Sequence, residues 1–304
     1  MDKRILITGG SGFIGQSLIQ NLIAKGFEVH SIVHSVRLEE QNGLIQHHVD
    51  LFNRKICDSF LKEYKFKNLI HLAWYVGKGC HSTNANLDWS VATLNLVKSF
   101  VENGGEKFAG AGSVSEYDYK YGYFIEDETP CGEKTMYGTC KNSMYKILKV
   151  YCGQNGCQFK WLRIFNLYGK NEKPQRLMPS VIISCLKGED IKVSNCSKFQ
   201  DYLYLEDTVD GIIKVFESDI QGAVNICSGK AVQLCEIVTK IAQLTNFKGK
   251  ILWGAVPAAF EENLTVGSNE KLKSLNWEQK YTLDEGLKLT VDWWKDKLKE
   301  SVNV

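Results

Sequence analysis

A tyrosine and a lysine stand four residues apart in the segment Tyr137-Gly-Thr-Cys-Lys141. On a helix this spacing brings both side chains to one face, where they can act together. The charge of the lysine favours the phenolate and lowers the pKa of the phenol, which can then exchange a proton with a carbonyl or alcohol oxygen. Ser113 follows an apolar run earlier in the chain and can hydrogen-bond the same oxygen. These three residues predict an acid–base site.

Three glycines, Gly9, Gly12 and Gly15, recur at every third position near the start of the chain. They follow the apolar run Arg4–Thr8 and open an amphipathic helical pattern. Glycines permit a tight turn and a close backbone approach, and a helix N-terminus offers unpaired N–H groups and a positive dipole to a pyrophosphate. The segment therefore predicts a dinucleotide cofactor. Beside this motif the tyrosine–lysine spacing, which alone is common on helix surfaces, becomes informative.

The end of the second predicted strand, Glu28–Val33, bears on the choice between NAD and NADP. An acidic residue at this point hydrogen-bonds the ribose hydroxyls and repels a 2′-phosphate. Here the strand is followed instead by His34, Ser35 and Arg37, which supply hydrogen-bond donors and a positive charge. We therefore predict NADPH as the cofactor. NAD is the alternative if Arg37 is only a solvated loop residue.

The elements that must position these residues follow from an alternation of apolar runs with longer helical patterns. This alternation predicts parallel strands joined by crossover helices, an α/β fold with a Rossmann-type doubly wound parallel sheet. Beyond about Asn166 the rhythm loosens into loops, short strands and helices, which predicts a smaller α/β C-terminal substrate-binding lobe. We expect a dinucleotide-binding domain over residues 1–165 and the lobe over 166–304, with some segments of the lobe returning to the Rossmann sheet. The predicted strands span residues 4–8, 28–33, 68–73, 107–111 and 159–165, and the predicted helices span residues 12–25, 84–103, 136–154, 234–244 and 283–299.

Composition narrows the classes of partner. The 304 residues include 37 basic and 35 acidic ones, and no basic block or stripe occurs that would neutralise a phosphate backbone. We therefore expect no nucleic-acid partner. The N-terminal apolar run is too short for a signal peptide and no later run is long enough to span a membrane. The ten cysteines form no CxxC pair, so we expect a reduced, cytoplasmic protein with no metal site.

Nearly end to end, the chain resembles the extended short-chain dehydrogenase/reductase family, in its NAD(P)-dependent sugar epimerase/dehydratase branch. The segments that carry this resemblance are TGGSGFIG at 8–15, HLAW at 71–74, NLDW at 86–89, GSVSEYD at 112–118, YGTCK at 137–141, RIFNLYG at 163–169, RLMP at 176–179, QDYLYLED at 200–207 and NICSGKAV at 225–232.

The resemblance implies a catalytic triad of Ser113, Tyr137 and Lys141, with hydride passing to or from a nicotinamide. It also implies an NDP-sugar substrate and a homodimer joined by the helices at about 84–103 and 136–154. The residues assigned to the cofactor are Gly9, Gly12, Phe13, Ile14, Gly15, His34, Ser35, Arg37, Asp50, Leu51, Leu72, Ala73, Trp74, Tyr137 and Lys141. The residues assigned to the substrate are Ser115, Asn166, Arg176, Leu177, Met178 and Gln200.

Departures from the family pattern narrow the reaction. Sugar 4,6-dehydratases carry an acidic pair directly after the triad hydroxyl residue, where this chain has Val114 and Ser115. Without these acids water elimination lacks its catalysts. Enzymes of the GDP-fucose synthase kind use a cysteine, here replaced by Ser115, and a histidine of the second lobe. All six histidines of this chain precede residue 82, so neither mechanism is expected.

Gln200 is a further departure, because resembling enzymes have an arginine there that contacts the substrate diphosphate. A neutral amide cannot replace that charge. Either Lys198 or Arg176 compensates for it, or the phosphate site is weaker. His71, at the end of a predicted strand, is expected to be a structural histidine with satisfied hydrogen bonds, and Trp293 and Trp294 are expected to pack in the core.

The leading hypothesis is an NADPH-dependent 4-ketoreductase that acts on an NDP-4-keto-6-deoxysugar, with Tyr137 protonating the nascent alkoxide. The alternative is an NDP-sugar 4-epimerase with retained NAD, which would use the same triad. A third hypothesis, from another class, is a catalytically inactive NADP-binding regulator. That hypothesis predicts a damaged triad, whereas Ser113, Tyr137 and Lys141 are all present.

Overall fold

The computed structural model describes residues 2–34, 36–258 and 263–302. Ser35, which sequence analysis assigns to the cofactor site, lies outside these residues. The strands are β1 (Arg4–Thr8), β2 (Glu28–Val33), β3 (Leu44–His48), β4 (Asn68–His71), β5 (Lys107–Ser113), β6 (Tyr123–Phe124), β7 (Gln158–Ile164), β8 (Asn166–Tyr168), β9 (Ile191–Lys192), β10 (Phe199–Gln200), β11 (Tyr202–Tyr204), β12 (Gly222–Ile226), β13 (Val232–Gln233), β14 (Ile251–Leu252) and β15 (Leu264–Gly267). The helices are α1 (Phe13–Ala24), α2 (Arg54–Tyr64), α3 (Ala85–Glu102), α4 (Met136–Gln154), α5 (Leu177–Lys187), α6 (Leu205–Glu217), α7 (Leu234–Leu244), α8 (Glu270–Lys273) and α9 (Leu283–Val302).

The main sheet orders its strands β3-β2-β1-β4-β5-β7-β12, and every neighbouring pair is parallel. Helices cover both faces, so the centre of β1 is apolar and its residues Ile5, Leu6 and Ile7 are fully buried. The chain leaves β1 in opposite directions toward β2 and β4, and in such sheets ligands bind at this reversal, outside the carboxyl ends of the strands. The predicted doubly wound Rossmann-type fold is confirmed.

Most element bounds agree with the sequence-based prediction to within two residues. A further strand that these predictions did not include, β3, ends at His48, and the assigned cofactor residues Asp50 and Leu51 lie in the turn after it. The reason is local: the amide of Phe52 donates to Asp50 Oδ1 at 2.9 Å, and the Asn53 side chain caps α2 by accepting the amide of Ile56. These bonds turn the chain into the helix directly after the strand.

The second lobe is built from short strands and from helices α5, α7 and α9. The short strands form the sheet β13-β10-β15-β6 and the pairs β8–β11 and β9–β14. The three helices share one hydrophobic cluster, here called the lobe core, whose buried members include Met178, Ile182, Ile237 and Val291. Trp294 is buried in this cluster and Trp293 packs against it. Because β12 pairs with β7 in the main sheet, the chain returns to the Rossmann half after β11. The boundary at residue 165 stays a prediction.

Candidate active site

Ser113 ends β5 at the carboxyl edge of the main sheet, and a single 3-10 turn, Val114–Glu116, follows it. The Ser113 hydroxyl accepts the amide of Ser115 at 3.1 Å. In return, the Ser113 amide donates to Glu116 Oε1 at 2.8 Å. This reciprocal pair is the arrangement of a capping box, and it fixes the serine at the strand end.

Tyr137 and Lys141 lie in the first turns of α4, whose start is capped by the Thr135 hydroxyl, an acceptor for the amide of Gly138 at 3.0 Å. Gly138 lies against the 3-10 turn so closely that a Cβ atom there would come within 2.0 Å of the Ser115 carbonyl oxygen. This contact brings the helix to the end of β5. A hydrogen bond from the Ser113 side chain reaches the Tyr137 phenol. The predicted serine, tyrosine and lysine are therefore together in space.

Burial is the main electrostatic influence on the triad. It raises the pKa of Tyr137, and the hydrogen bond from Ser113 opposes this rise. It lowers the pKa of Lys141 to about 7, which the nearby Glu116 carboxylate opposes. The expectation that Lys141 lowers the tyrosine pKa is wrong for this arrangement. Burial is the largest cause of the raised tyrosine pKa. The Lys141 ammonium donates to the carbonyl of Ala111 at 2.7 Å and lies 3.8 Å from the centroid of the Trp74 ring and 5.8 Å from that of Tyr137.

The glycine loop after β1 fits a pyrophosphate. Gly9 has a φ of 75°, and a Cβ atom there would come within 2.7 Å of the Ala73 backbone nitrogen, so only glycine allows the loop to lie against the end of β4. Gly15 packs on the Gly9 carbonyl in the same way. Gly12 precedes α1 without a side-chain cap, and the first turn carries no acidic residue. The first N–H groups of α1 therefore keep both their hydrogen-bonding capacity and their positive dipole for an anion.

The other residues assigned to the cofactor surround this loop in different ways. Phe13, Ile14 and Leu72 pack against the core beneath it. Leu72 and Ala73 are held at the end of β4 because their amides donate to the Thr8 carbonyl and hydroxyl, at 3.0 and 3.3 Å.

Farther from the glycines the assigned residues divide into buried and exposed ones. Trp74 is buried, and its indole N–H donates to Asn86 Oδ1 at 2.8 Å. Leu51 is a core residue. His34 and Arg37 are exposed beyond β2, where the ribose end of a dinucleotide lies in folds of this kind.

His71 is fully hydrogen-bonded, as expected of a structural residue. One ring nitrogen pairs with the hydroxyl of Thr8 at 2.7 Å and the other with the hydroxyl of Thr93 at 2.9 Å. Burial and the charge of Lys141 lower the pKa of His71 to about 3. The ring therefore stays neutral and holds β1, β4 and α3 together.

The residues assigned to the substrate belong to the turn after Ser113, to β8, to the start of α5 and to β10. Ser115 directly follows it, and its hydroxyl accepts from the phenol of Tyr119 at 3.3 Å. Asn166 begins β8, and its side chain donates to the carbonyl of Asp201 at 3.3 Å. Arg176 directly precedes α5, whose first residues are Leu177, partly buried, and Met178, a buried member of the lobe core. Gln200 ends β10.

His81 is a site residue that sequence analysis did not assign. Its ring lies 5.6 Å from that of Tyr137, edge to face, and its carbonyl accepts the Tyr137 amide at 3.3 Å. Burial lowers the pKa of His81, and the charge of Arg176 adds to this effect. His81 therefore connects the triad with the residue that precedes α5. It lies in an irregular loop between β4 and α3, where no spacing pattern could have indicated it.

Glu116 and Arg163 form a buried ion pair. Both residues lie within the segments that carry the family resemblance, but the sequence did not indicate that they meet. Glu116 is fully buried, and its carboxylate accepts from the Ser113 amide, from the Trp161 indole at 2.9 Å and from Arg163 Nε at 3.0 Å. Because Trp161 and Arg163 belong to β7, this carboxylate ties the serine turn to the neighbouring strand.

Two kinds of feature are absent from the described part of the chain. Over residues 2–34, 36–258 and 263–302, no helix combines the length and apolarity that crossing a membrane requires. Within the same ranges, no group of three or more histidine, cysteine, aspartate or glutamate side chains is arranged to hold a metal ion.

Comparison with known proteins gives consistent matches. The sequence model of the NAD dependent epimerase/dehydratase family matches residues 5–227. The CDP-abequose synthase of Salmonella muenchen is 24% identical over 306 residues, which cover 95% of this chain and 97% of the relative. The dTDP-6-deoxy-L-talose 4-dehydrogenase (NAD(+)) of Aggregatibacter actinomycetemcomitans is 25% identical over 270 residues, which cover 86% of this chain and 98% of the relative. The solved UDP-glucose 4-epimerase of Thermus thermophilus, a complex with NAD, has a TM-score of 0.86 at 24% identity and covers 96% of this chain and 99% of that chain.

Proposed function

The chain belongs to the NAD dependent epimerase/dehydratase family, and we propose that it reduces the C4 keto group of a nucleoside-diphosphate 4-keto-6-deoxysugar with NADPH. The observation that carries this proposal is the meeting of Ser113, Tyr137 and Lys141 beside a glycine loop built for a pyrophosphate. When bound, the nicotinamide would supply the hydride that C4 accepts. The glycine loop and the start of α1 would hold the pyrophosphate of the cofactor.

Tyr137 is suited to be the proton donor in this direction of the reaction. Its raised pKa means that the phenol keeps its proton until a stronger base appears beside it. Hydride addition to a carbonyl carbon creates an alkoxide, which is far more basic than a phenolate, so the proton passes from the Tyr137 oxygen to O4. Ser113 hydrogen-bonds the same oxygen, and Lys141 would position the nicotinamide ribose.

The substrate class rests on the two curated relatives. Both names contain a nucleotide-activated sugar, and one names a 6-deoxysugar that is oxidised or reduced at C4. The nucleotides differ, CDP in one and dTDP in the other, so the proposal extends to the diphosphate and the deoxysugar and not to the base. Val114 and Ser115 provide no acid after the triad serine, which argues against water elimination at this site.

The choice of NADPH rests on the loop after β2, where His34 and Arg37 are exposed and the expected acid is missing. The second candidate is a 4-epimerase that retains NAD. It is favoured by the family description and by the NAD(+) in the name of the second relative. Both reactions would use the same triad, so the cofactor separates them.

We further propose a cytoplasmic homodimer joined by α3 and α4. On these helices the apolar residues Leu87, Val91, Ile147 and Val150 are exposed, although such side chains ordinarily pack away from water. A partner copy that covered them would give a four-helix interface.

The test begins with the absorbance spectrum of the purified protein, which would reveal retained cofactor, and continues with calorimetric titration by NADPH and NADH. We expect no retained cofactor and at least about tenfold tighter binding of NADPH, or roughly 1.4 kcal/mol. Retained NAD, or tighter binding of NADH, would overturn the reductase proposal in favour of the 4-epimerase.

A second measurement addresses catalysis itself. With 4-keto-6-deoxysugar nucleotides as substrates, Tyr137→Phe should lower kcat by about 10²- to 10⁴-fold, the usual worth of acid–base catalysis, while NADPH binding is retained. Unchanged biological function of this variant would instead support the inactive regulator.

A further inference from the structure

Asn86 is the second residue of α3 and is fully buried. It belongs to the NLDW segment, to which sequence analysis gave no role. Its side-chain N–H groups donate to the carbonyls of Cys80 and Thr83 at 2.8 and 2.9 Å. Its side-chain oxygen accepts the indole N–H of Trp74 at 2.8 Å. All three partners belong to the loop at 72–84, which joins β4 to α3, so this one amide spends both its donors and its acceptor on one loop.

The loop at 72–84 also has hydrogen bonds of its own. The amide of Cys80 donates to the Gly77 carbonyl, and the amide of Thr83 donates to the Gly79 carbonyl, each at 3.1 Å. These local bonds give the loop its shape. The three bonds of Asn86 attach that shape to α3, because they reach both the Trp74 end of the loop and its last turn.

Two rings of this loop contact the catalytic tyrosine. The ring of Trp74 lies 6.4 Å from that of Tyr137 at an angle of 79°, and the ring of His81 lies 5.6 Å from it at 81°. Edge-to-face pairs at such distances are a favoured aromatic arrangement. The His81 carbonyl also accepts the Tyr137 amide at 3.3 Å. Since α4 begins at Met136, this amide has no acceptor within its own helix.

The loop therefore holds both the main chain and the ring of Tyr137. A phenol can deliver its proton only when its oxygen lies within hydrogen-bond reach of the reacting oxygen. A catalytic group that is misplaced by about 1 Å can lose roughly 10²-fold in rate. Ser113 is fixed at the strand end by its own capping bonds, whereas the Tyr137 ring depends on its neighbours in this loop.

We propose that Asn86 is a positioning residue for Tyr137. It fixes the loop at 72–84 to α3, and the loop then orients the phenol through Trp74 and His81. The effect on catalysis rests on the proposed function, because it assumes that Tyr137 is the proton donor. The effect on the orientation of the ring does not depend on any substrate.

The experiment uses two substitutions of similar size. Asn86→Leu removes all three hydrogen bonds, whereas Asn86→Asp keeps an acceptor for the Trp74 indole and, while ionised, donates to neither carbonyl. The thirteen tyrosines are replaced by 3-fluorotyrosine, and the Tyr137 fluorine NMR resonance is identified by its loss in Tyr137→Phe. We expect a single narrow Tyr137 resonance in wild type and a shifted or broadened one in Asn86→Leu.

The kinetic measurement separates positioning from binding. With a 4-keto-6-deoxysugar nucleotide and NADPH, Asn86→Leu should lower kcat by at least about tenfold, while KM and the affinity for NADPH stay nearly unchanged. Asn86→Asp should lie between wild type and Asn86→Leu in both kcat and the fluorine spectrum, because it retains one of the three bonds.

The matched control is Asn95→Leu, the same substitution at a half-buried asparagine farther along α3, and it should change none of these quantities. The inference is overturned if the Tyr137 resonance is the same in wild type and in both Asn86 variants, or if the variants lose NADPH binding together with kcat. If Asn86→Leu does not fold, Asn86→Asp decides by the same criteria.

Failure of the proposed function looks different. Wild type would then reduce none of the 4-keto-6-deoxysugar nucleotides, while the Tyr137 resonance still responds to Asn86→Leu as expected. The positioning role of Asn86 would stand in that case, and the substrate would have to be sought elsewhere.

Discussion

Glu116 and Lys198 are charged side chains that the fold removes from solvent, and they differ in what surrounds them. Glu116 lies between β5 and β7 and accepts from the Ser113 amide, the Trp161 indole and Arg163. Lys198 directly precedes β10 in the second lobe, and its nitrogen has no hydrogen-bond partner. The first charge is satisfied by the protein itself, through hydrogen bonds that also fix Ser113 at the end of β5. The second has no such partner among the described residues.

The largest expected change in stability comes from breaking the ion pair between Glu116 and Arg163. Glu116→Gln leaves the Arg163 guanidinium buried without a counter-charge, which costs about 3–5 kcal/mol of the free energy of unfolding when one partner of a buried pair is removed. Denaturant unfolding of wild type and variant measures this loss. In the double variant Glu116→Gln/Arg163→Met the uncompensated charge is gone, and part of the stability should return. A loss below about 1 kcal/mol in the single variant would show that the buried Arg163 guanidinium does not depend on the charge of Glu116.

A smaller effect, of opposite sign, is expected at the unsatisfied charge. Lys198→Met removes an ammonium that lacks a partner and keeps a side chain of similar length, so the free energy of unfolding without nucleotide should stay the same or rise by about 1–3 kcal/mol. The matched variant is Lys160→Met, which removes a buried lysine that does have an acceptor and should not stabilise the protein. Destabilisation by Lys198→Met of more than about 1 kcal/mol would show that the buried ammonium stabilises the fold even without a hydrogen-bond partner.

The sequence predicted the surroundings of neither charge, although it predicted the neighbouring chemistry. The tyrosine–lysine pair and the glycine loop were predictable because each depends on local spacing, within one helix or one turn. The role of Glu116 was not, because its partner Arg163 is 47 residues away and meets it only through the register of β5 with β7, in which Gly112 pairs with Arg163. His81 was missed for a similar reason, since an irregular loop has no periodicity that points toward Tyr137. Lys198 was noticed only as a charge near Gln200, and its burial required the tertiary structure.

Lys141 is intermediate between Glu116 and Lys198, because its ammonium has a hydrogen-bond acceptor, but a neutral one, the Ala111 carbonyl. Its pKa falls from the ordinary 10.5 to about 7 in the folded protein, through burial. Between these two pH values the unfolded chain holds a proton that the folded protein has released, so stability rises with pH across this window. Below pH 7 both states are protonated and this gradient vanishes. The charged or titratable groups that face the ammonium are Glu116, Tyr137, Cys140 and His71, and the pKa of His71, about 3, keeps that ring neutral throughout.

The last prediction follows from this sign. The change in the free energy of unfolding that it expects for each pH unit is the smallest effect considered. The free energy of unfolding of wild type minus that of Lys141→Met should rise by less than about 0.5 kcal/mol from pH 6 to 7 and then more steeply, by at most about 1.4 kcal/mol per pH unit. Urea unfolding at pH 6, 7, 8 and 9 measures it, and groups shared by both proteins cancel in the difference. Lys160→Met provides the control, since burial lowers the pKa of Lys160 to about 8, and its gradient should begin one pH unit later. A difference that stays flat to pH 9 for Lys141→Met would show that a carbonyl and an aromatic ring satisfy a buried ammonium as fully as Arg163 satisfies Glu116.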